Sequence, residues 1–156
     1  MLSAVNYSLG ERRIEGQFVS LIYAVWNDQE RTLQVSNSGL PRPIHCRDRK
    51  IKIIEATGLP LGLFEEADYD EFTIQSKPGD VFVFFSDGIL DASNRAGELF
   101  GRTQVEKIVS ECSENSAESI VSSLFKAVAE YASGMDPFDD QTVVAIKVQG
   151  SPGKHK

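Results

Sequence analysis

A chain of 156 residues, 41% hydrophobic and 25% charged, has the length and balance of one soluble globular domain with a real core. Its net charge of −7 argues against nucleic-acid binding, which needs a basic face, and against docking on anionic lipid. The same field repels a phosphorylated substrate unless a metal ion or local basic groups intervene.

Residues 1–13 read as weakly helical, with Leu2, Val5 and Leu9 at helical spacing and no clear cap. No basic segment leads into an apolar one there, so no signal peptide is expected and the expected compartment is the cytoplasm. Gly16 breaks the helix, and residues 17–27 read as a long strand apolar on both faces. Its apolar run, Val19 to Trp26, is far too short to span a membrane. A polar turn at Asn27-Asp28-Gln29-Glu30 returns the chain as an alternating strand over 32–36. A breaker-rich loop over 37–43 precedes short strands at 44–47 and 51–55. The loop over 57–63 places glycines where the backbone must bend or come close to a neighbour, and 72–75 is a further short strand.

Residues 91–101 are polar and without periodicity. Thr103 and Glu106 read as a capping box opening a helix whose face is Val105, Ile108, Val109 and Cys112. Asn115 with Glu118 caps the next helix, whose stripe is Ala117, Ile120, Val121, Leu124, Val128 and Tyr131; Gly134 ends it. Residues 136–141 form a loop, 142–148 a closing strand and 150–156 a disordered tail. Cys46 and Cys112 are too few for a disulfide framework and too far apart for a metal knuckle, which leaves two reduced, packed thiols. Strands first and helices later predict an α+β fold with antiparallel sheets over residues 1–149.

The chain is organised around the stretch from Asp80 to Gly88. Pro78-Gly79-Asp80 is a turn signal, and the run through Phe85 is apolar on both faces, as in an interior strand covered on both sides. It stops at Ser86-Asp87-Gly88 with a carboxylate, which must emerge at an edge or meet a cation. A plain turn is the alternative reading. Asp136, Asp139 and Asp140 crowd the loop before the closing strand, where like charges repel unless a cation screens them; a solvated turn is again the alternative. Together with Asp87, oxygen donors at two strand ends suit a hard divalent ion, Mg²⁺ or Mn²⁺. Competing schemes are thin. His45 reads as an ordinary strand residue and His155 lies in the tail. Ser86 lacks a nucleophile elbow, and no phosphate-cradling or dinucleotide glycine motif occurs. Metal-assisted hydrolysis is the reaction class these residues support best.

Several stretches in order resemble one family: Gly16-Gln-Phe-Val-Ser-Leu, Asn37-Ser-Gly-Leu-Pro, Gly58-Leu-Pro-Leu-Gly-Leu, Pro78-Gly-Asp-Val, Phe85-Ser-Asp-Gly-Ile-Leu-Asp-Ala, Glu98-Leu-Phe-Gly and Asp139-Asp-Gln-Thr-Val-Val. The sequence is similar to the metal-dependent type 2C (PPM) protein phosphatases, most of all the bacterial SpoIIE/RsbU branch. The resemblance implies an αββα sandwich with a dinuclear Mn²⁺ or Mg²⁺ centre between its sheets. It implies that Asp87 and Asp139 are metal ligands, that Gly88 keeps the backbone close behind the ligand, and that Asp140 supports the site. Residues 91–101 match the variable flap, where substrate choice is made. The implied reaction is attack by water, acidified by the ions, on a phosphoserine or phosphothreonine. The implied partner is a phosphoprotein of the anti-anti-sigma-factor type, with an upstream sensor domain.

The resemblance also implies an early acidic ligand and an Asp-x-x-Gly-His-Gly motif whose aspartate bridges both ions. Neither occurs here, and Leu40 stands where the family commonly has His. The chain begins where the family's first long helix would be ending. The expectation is therefore a partial sandwich without its N-terminal strands, holding half of the ligand set. Such a chain is either the C-terminal part of a phosphatase domain, active when the remaining strands are supplied, or a non-catalytic interaction module in sigma-factor or two-component signalling. A generic α+β domain with turn aspartates is the third reading. Loss of strands exposes sheet edges and one face of the 17–27 strand, so oligomerisation, as a homo-oligomer, or poor solubility is expected.

Overall fold

The structure, a computed structural model, describes residues 1–11 and 17–150. The elements run α1 (Leu2–Glu11), β1 (Leu21–Asn27), β2 (Thr32–Ser38), β3 (Ile44–Arg47), β4 (Lys50–Ile53), β5 (Phe72–Gln75), β6 (Val81–Phe85), α2 (Asp87–Leu90), α3 (Gly101–Cys112), α4 (Ala117–Ala132) and β7 (Val143–Lys147). All strand pairs are antiparallel, as the α+β reading requires. The expected break at Gly16 and the tail over 151–156 lie outside the described residues.

The chain divides into two compact units. The first, Met1–Arg42 with Ile54–Ser76, holds a sheet of order β1-β2-β5. The β1–β2 hairpin turns on Asn27, whose Oδ1 accepts from the backbone of Gln29 and Glu30 at 3.1 Å each, an Asx turn. β1 begins at Leu21, later than expected, because Val19 instead exchanges backbone hydrogen bonds with Leu61. Leu33 and Val35 of the central strand are buried, whereas β1 is not covered: Tyr23, Val25 and Trp26 are all exposed.

Two of the motif loops lock together in this unit. The buried Asn37 donates through Nδ2 to the carbonyls of Leu40 at 2.8 Å and Ala56 at 2.9 Å, and accepts from the Leu40 N–H. A Cβ on Gly58 would stand 2.3 Å from the Asn37 carbonyl, so only glycine allows this approach. Asn6 of α1 ties the 62–65 segment in turn, accepting from the Gly62 N–H at 2.8 Å and donating to the Phe64 carbonyl at 3.0 Å.

The second unit, Pro43–Ile53 with Lys77–Lys156, holds the sheet β4-β3-β6-β7. All five residues of β6 are buried, as its two apolar faces predict. Val81, Val83 and Phe85 share one core cluster with Ile44, Cys46, Val105, Val109, Ile120 and Leu124. The two-residue β3–β4 turn places Asp48 and Arg49 at φ 50° and 62°, and Ser110 of α3 holds it by donating to the Arg49 carbonyl. Lys147 donates to the carbonyls of Ser113 at 2.9 Å and Asn115 at 2.8 Å, satisfying the C-terminal end of α3 with a cation.

The helix starts differ from expectation. α3 opens at Gly101 after Phe100, without a side-chain cap, so Thr103 and Glu106 lie inside it rather than forming a capping box. Packing sets this start: Phe100 is buried and meets the Tyr131 ring edge-on at 5.4 Å. α4 is capped by Ser116, not Asn115, because Ser116 carries the extended backbone and its hydroxyl accepts from the Ser119 N–H. Both predicted buried faces are otherwise present, with Ile120, Leu124 and Val128 innermost. Cys46 and Cys112 are free thiols, the first buried.

Candidate active site

β6 and β7 are antiparallel neighbours with Phe85 opposite Val143, which brings the residues after β6 beside those before β7. Ser86 continues the ladder by one step, its N–H donating to the Thr142 carbonyl at 3.1 Å. Its Oγ accepts from the Thr142 N–H and donates to the Asp140 carbonyl, both at 2.9 Å. Gln141 returns the tie through Nε2 to the Gly88 carbonyl at 3.3 Å. Gly88 is buried where the loops meet: a Cβ there would lie 2.4 Å from the Asp140 carbonyl oxygen and 3.0 Å from that of Asp139. The loops carrying Asp87 and Asp139, 52 positions apart (139 − 87), are therefore in backbone contact.

Asp87 opens the single turn α2 and is exposed; its Oδ1 accepts from the Gly88 N–H at 3.2 Å. Asp139 is exposed, and its Oδ1 accepts from the Asp140 N–H at 2.7 Å. Asp140 meets its neighbours through its backbone, with an exposed side chain. Asp136 lines a cavity of about 180 Å³ with Ala92, Ser93, Val128, Met135 and Gln141. The segment matched to the flap closes on itself: Ser93 bridges Leu99, and Asn94 Oδ1 accepts from the Ala96 and Glu98 N–H groups.

The donors fit a hard divalent ion in kind. Two carboxylates from touching loops, unpaired with any Lys or Arg among the described residues, are oxygen ligands without a counter-charge. They do not fill a coordination sphere, since no group of three His, Cys, Asp or Glu side chains is placed to hold an ion among the described residues. Asp87 and Asp139 could thus hold one face of an ion whose remaining ligands come from elsewhere.

A second charged constellation lies at the opposite end of β6, and the sequence reading missed it. Asp80 is 1% exposed and takes two bonds from Arg47, at 2.8 Å from Nε and 2.6 Å from Nη2. The Lys77 N–H adds a third at 2.9 Å. His45 stacks on Phe82 at 4.7 Å, with Nε2 3.0 Å from Asp80 Oδ2 but not aligned as a hydrogen bond. Burial pushes the Asp80 carboxyl up, yet Arg47, the Lys77 N–H and His45 outweigh it and hold it below the ordinary range. Burial pushes the His45 imidazole below its ordinary value despite the pull of Asp80.

The chain resembles proteins of known activity. It is 25% identical to the phosphoserine phosphatase RsbU of Bacillus subtilis over 149 residues, 94% of this chain and 44% of that protein. Among solved structures, the phosphatase domain of the cell fate determinant SpoIIE from Bacillus subtilis, in a crystal form without domain swapping, superposes with a TM-score of 0.75. The two are 20% identical, and the match covers 99% of this chain and 67% of that one. A manganese-presoaked form of the same domain gives 0.71, with 18% identity, 91% of this chain and 62% of that one covered. This chain therefore spans less than half of RsbU and about two thirds of the solved domain. The fold is that of a type 2C phosphatase domain, and the family model for Stage II sporulation protein E (SpoIIE) matches residues 1–149, so the chain belongs to the SpoIIE family.

Proposed function

We propose that the chain supplies the Asp87 and Asp139 half of a metal-dependent phosphatase centre acting on phosphoserine or phosphothreonine in a regulatory protein of the anti-anti-sigma-factor type. The observation that carries this reading is the backbone contact of the two aspartate loops at Gly88. Each carboxylate spends one oxygen on the next N–H and keeps Oδ2 free of protein hydrogen bonds among the described residues. A bound Mn²⁺ or Mg²⁺ supplies positive charge for the phosphoryl oxygens and a lowered pKa for attacking water. The protein's own part is to fix the two carboxylates and to hold negative charge there without a cationic partner that would compete with the ion. With a net charge of −7, the chain attracts a phosphate only where such an ion offsets the field.

The reading predicts little turnover of a phosphoserine peptide by the 156-residue chain with Mn²⁺, because two carboxylates leave most coordination positions to water. A version extended upstream to the length of the solved domain turns over, and Asp87→Asn in it lowers the rate about 100-fold or more. Unchanged turnover in Asp87→Asn overturns the metal role. A non-catalytic interaction module is the second reading, favoured by the absence of a three-ligand group among the described residues. It requires the extended version to bind its phosphoprotein partner without releasing phosphate.

A further inference from the structure

We infer that Ser86 is a positioning residue for this centre: its hydroxyl straps the Asp139–Gln141 loop to the Asp87 turn and so sets how the two carboxylates face one ion. The inference rests on the reading of Asp87 and Asp139 as ligands.

Ser86 has extended backbone, φ −79° and ψ 163°, between the last buried residue of β6 and the first of α2. That conformation sends its side chain across to the neighbouring loop. There the hydroxyl uses both of its capacities, donating to the Asp140 carbonyl and accepting from the Thr142 N–H. These partners lie 54 and 56 residues further along the chain. They bracket Gln141 and place Asp139 directly before the first anchor. Residues 133–140 are exposed throughout and belong to no strand, so the loop has few ties besides this one and the Gln141 bond. Removing the hydroxyl leaves the Ser86–Thr142 backbone bond intact and frees only the part of the loop that carries Asp139. Alanine keeps the backbone and loses the strap. Threonine keeps the hydroxyl and suits an extended conformation.

The experiment compares wild type, Ser86→Ala, Ser86→Thr and Ser110→Ala as ¹⁵N-labelled chains, with Ser86→Val as a second hydroxyl-free variant. Ser110 is the control, since its hydroxyl also donates to a backbone carbonyl, that of Arg49, away from the aspartates. Without metal, amide exchange at Thr142 should rise about tenfold in Ser86→Ala and stay at wild type in Ser86→Thr and Ser110→Ala. With Mn²⁺, paramagnetic broadening at the Gly88 and Asp140 amides should need about fivefold more metal in Ser86→Ala and Ser86→Val, with Ser86→Thr restoring the wild-type midpoint. A wild-type midpoint in Ser86→Ala, or an equal shift in Ser110→Ala, overturns the inference and leaves the metal reading standing. No wild-type broadening at those amides up to about 10 mM Mn²⁺ overturns the metal reading, and the inference with it.

Discussion

Each of the two sheets contains one strongly apolar strand, β6 in one and β1 in the other, and these two strands end differently. In the sheet β4-β3-β6-β7, β6 has a partner on each side, all five of its residues are buried, and residues of α3 and α4 complete its core cluster. Of its two edge strands, β4, Lys-Ile-Lys-Ile, carries two lysines that discourage further pairing, and β7 ends on Lys147. In the sheet β1-β2-β5, the edge strand β1, Leu-Ile-Tyr-Ala-Val-Trp-Asn, has no charge at all, and its last five residues are exposed. An apolar strand records fitness for burial, not that this chain buries it. The sheet β4-β3-β6-β7 positions the candidate site, whereas in the sheet β1-β2-β5 the edge strand leaves apolar side chains exposed.

The largest test of that contrast pairs a substitution in each sheet. Ile44→Ala, in a strand whose residue is fully buried, should cost about 3 kcal/mol in urea unfolding. Val25→Ala in β1 should stay within about 0.5 kcal/mol. Similar losses at both positions would erase the distinction between the sheets.

Next in size is the charged cluster that fastens β6 to β3. Asp80→Asn leaves Arg47 with a neutral partner and should cost about 2 kcal/mol, less than a wholly buried pair because Arg47 is a third exposed. The pH dependence follows from the directions of the two shifts. A carboxyl held below its ordinary value of 3.8 gives stability that is present above that value and lost as pH falls through the folded one. His45, pushed below 6.5, likewise gives stability present above that value and lost as pH falls beneath it. Unfolding free energy should therefore drop in two stages on acidification, the first starting near 6.5. His45→Gln should remove the first stage and Asp80→Asn the second, as read by denaturant titrations across pH.

What was legible in the sequence was local. The alternation and turn residues located β3 and β5 to the residue, and both helical faces were readable from spacing alone. The pairing of Asp87 with the acidic loop over 136–140 was read from carboxylates at two strand ends, and the choice of Asp139 came from motif resemblance; the two loops touch through their backbone at Gly88. Interactions that depend on distant partners were not legible. Asp80 reads as a turn residue until Arg47, 33 positions earlier, is placed beside it. Ser86 reads as an idle hydroxyl until the loop 54 residues on closes over it. Helix starts slipped because Phe100 and Ser116 act through packing and backbone conformation, which short sequence patterns do not encode.

The smallest effect on stability should accompany the largest effect on association. The outer edge of β1 has no strand partner among the described residues, and its side chains are uncharged and exposed on both faces. Paired antiparallel with a second copy about Ala24, β1 would set Ile22 against Trp26 and Tyr23 against Val25, aromatic and β-branched pairs that favour sheet extension. The isolated chain should therefore self-associate by light scattering. Val25→Lys places a like charge on both copies at the junction, at an exposed position where the fold tolerates it. It should leave urea unfolding within about 0.5 kcal/mol of wild type while shifting the chain to monomer. A wild-type chain that is already monodisperse and monomeric would show that the edge is protected by something other than pairing. A Val25→Lys variant that stays associated would place the contact away from β1.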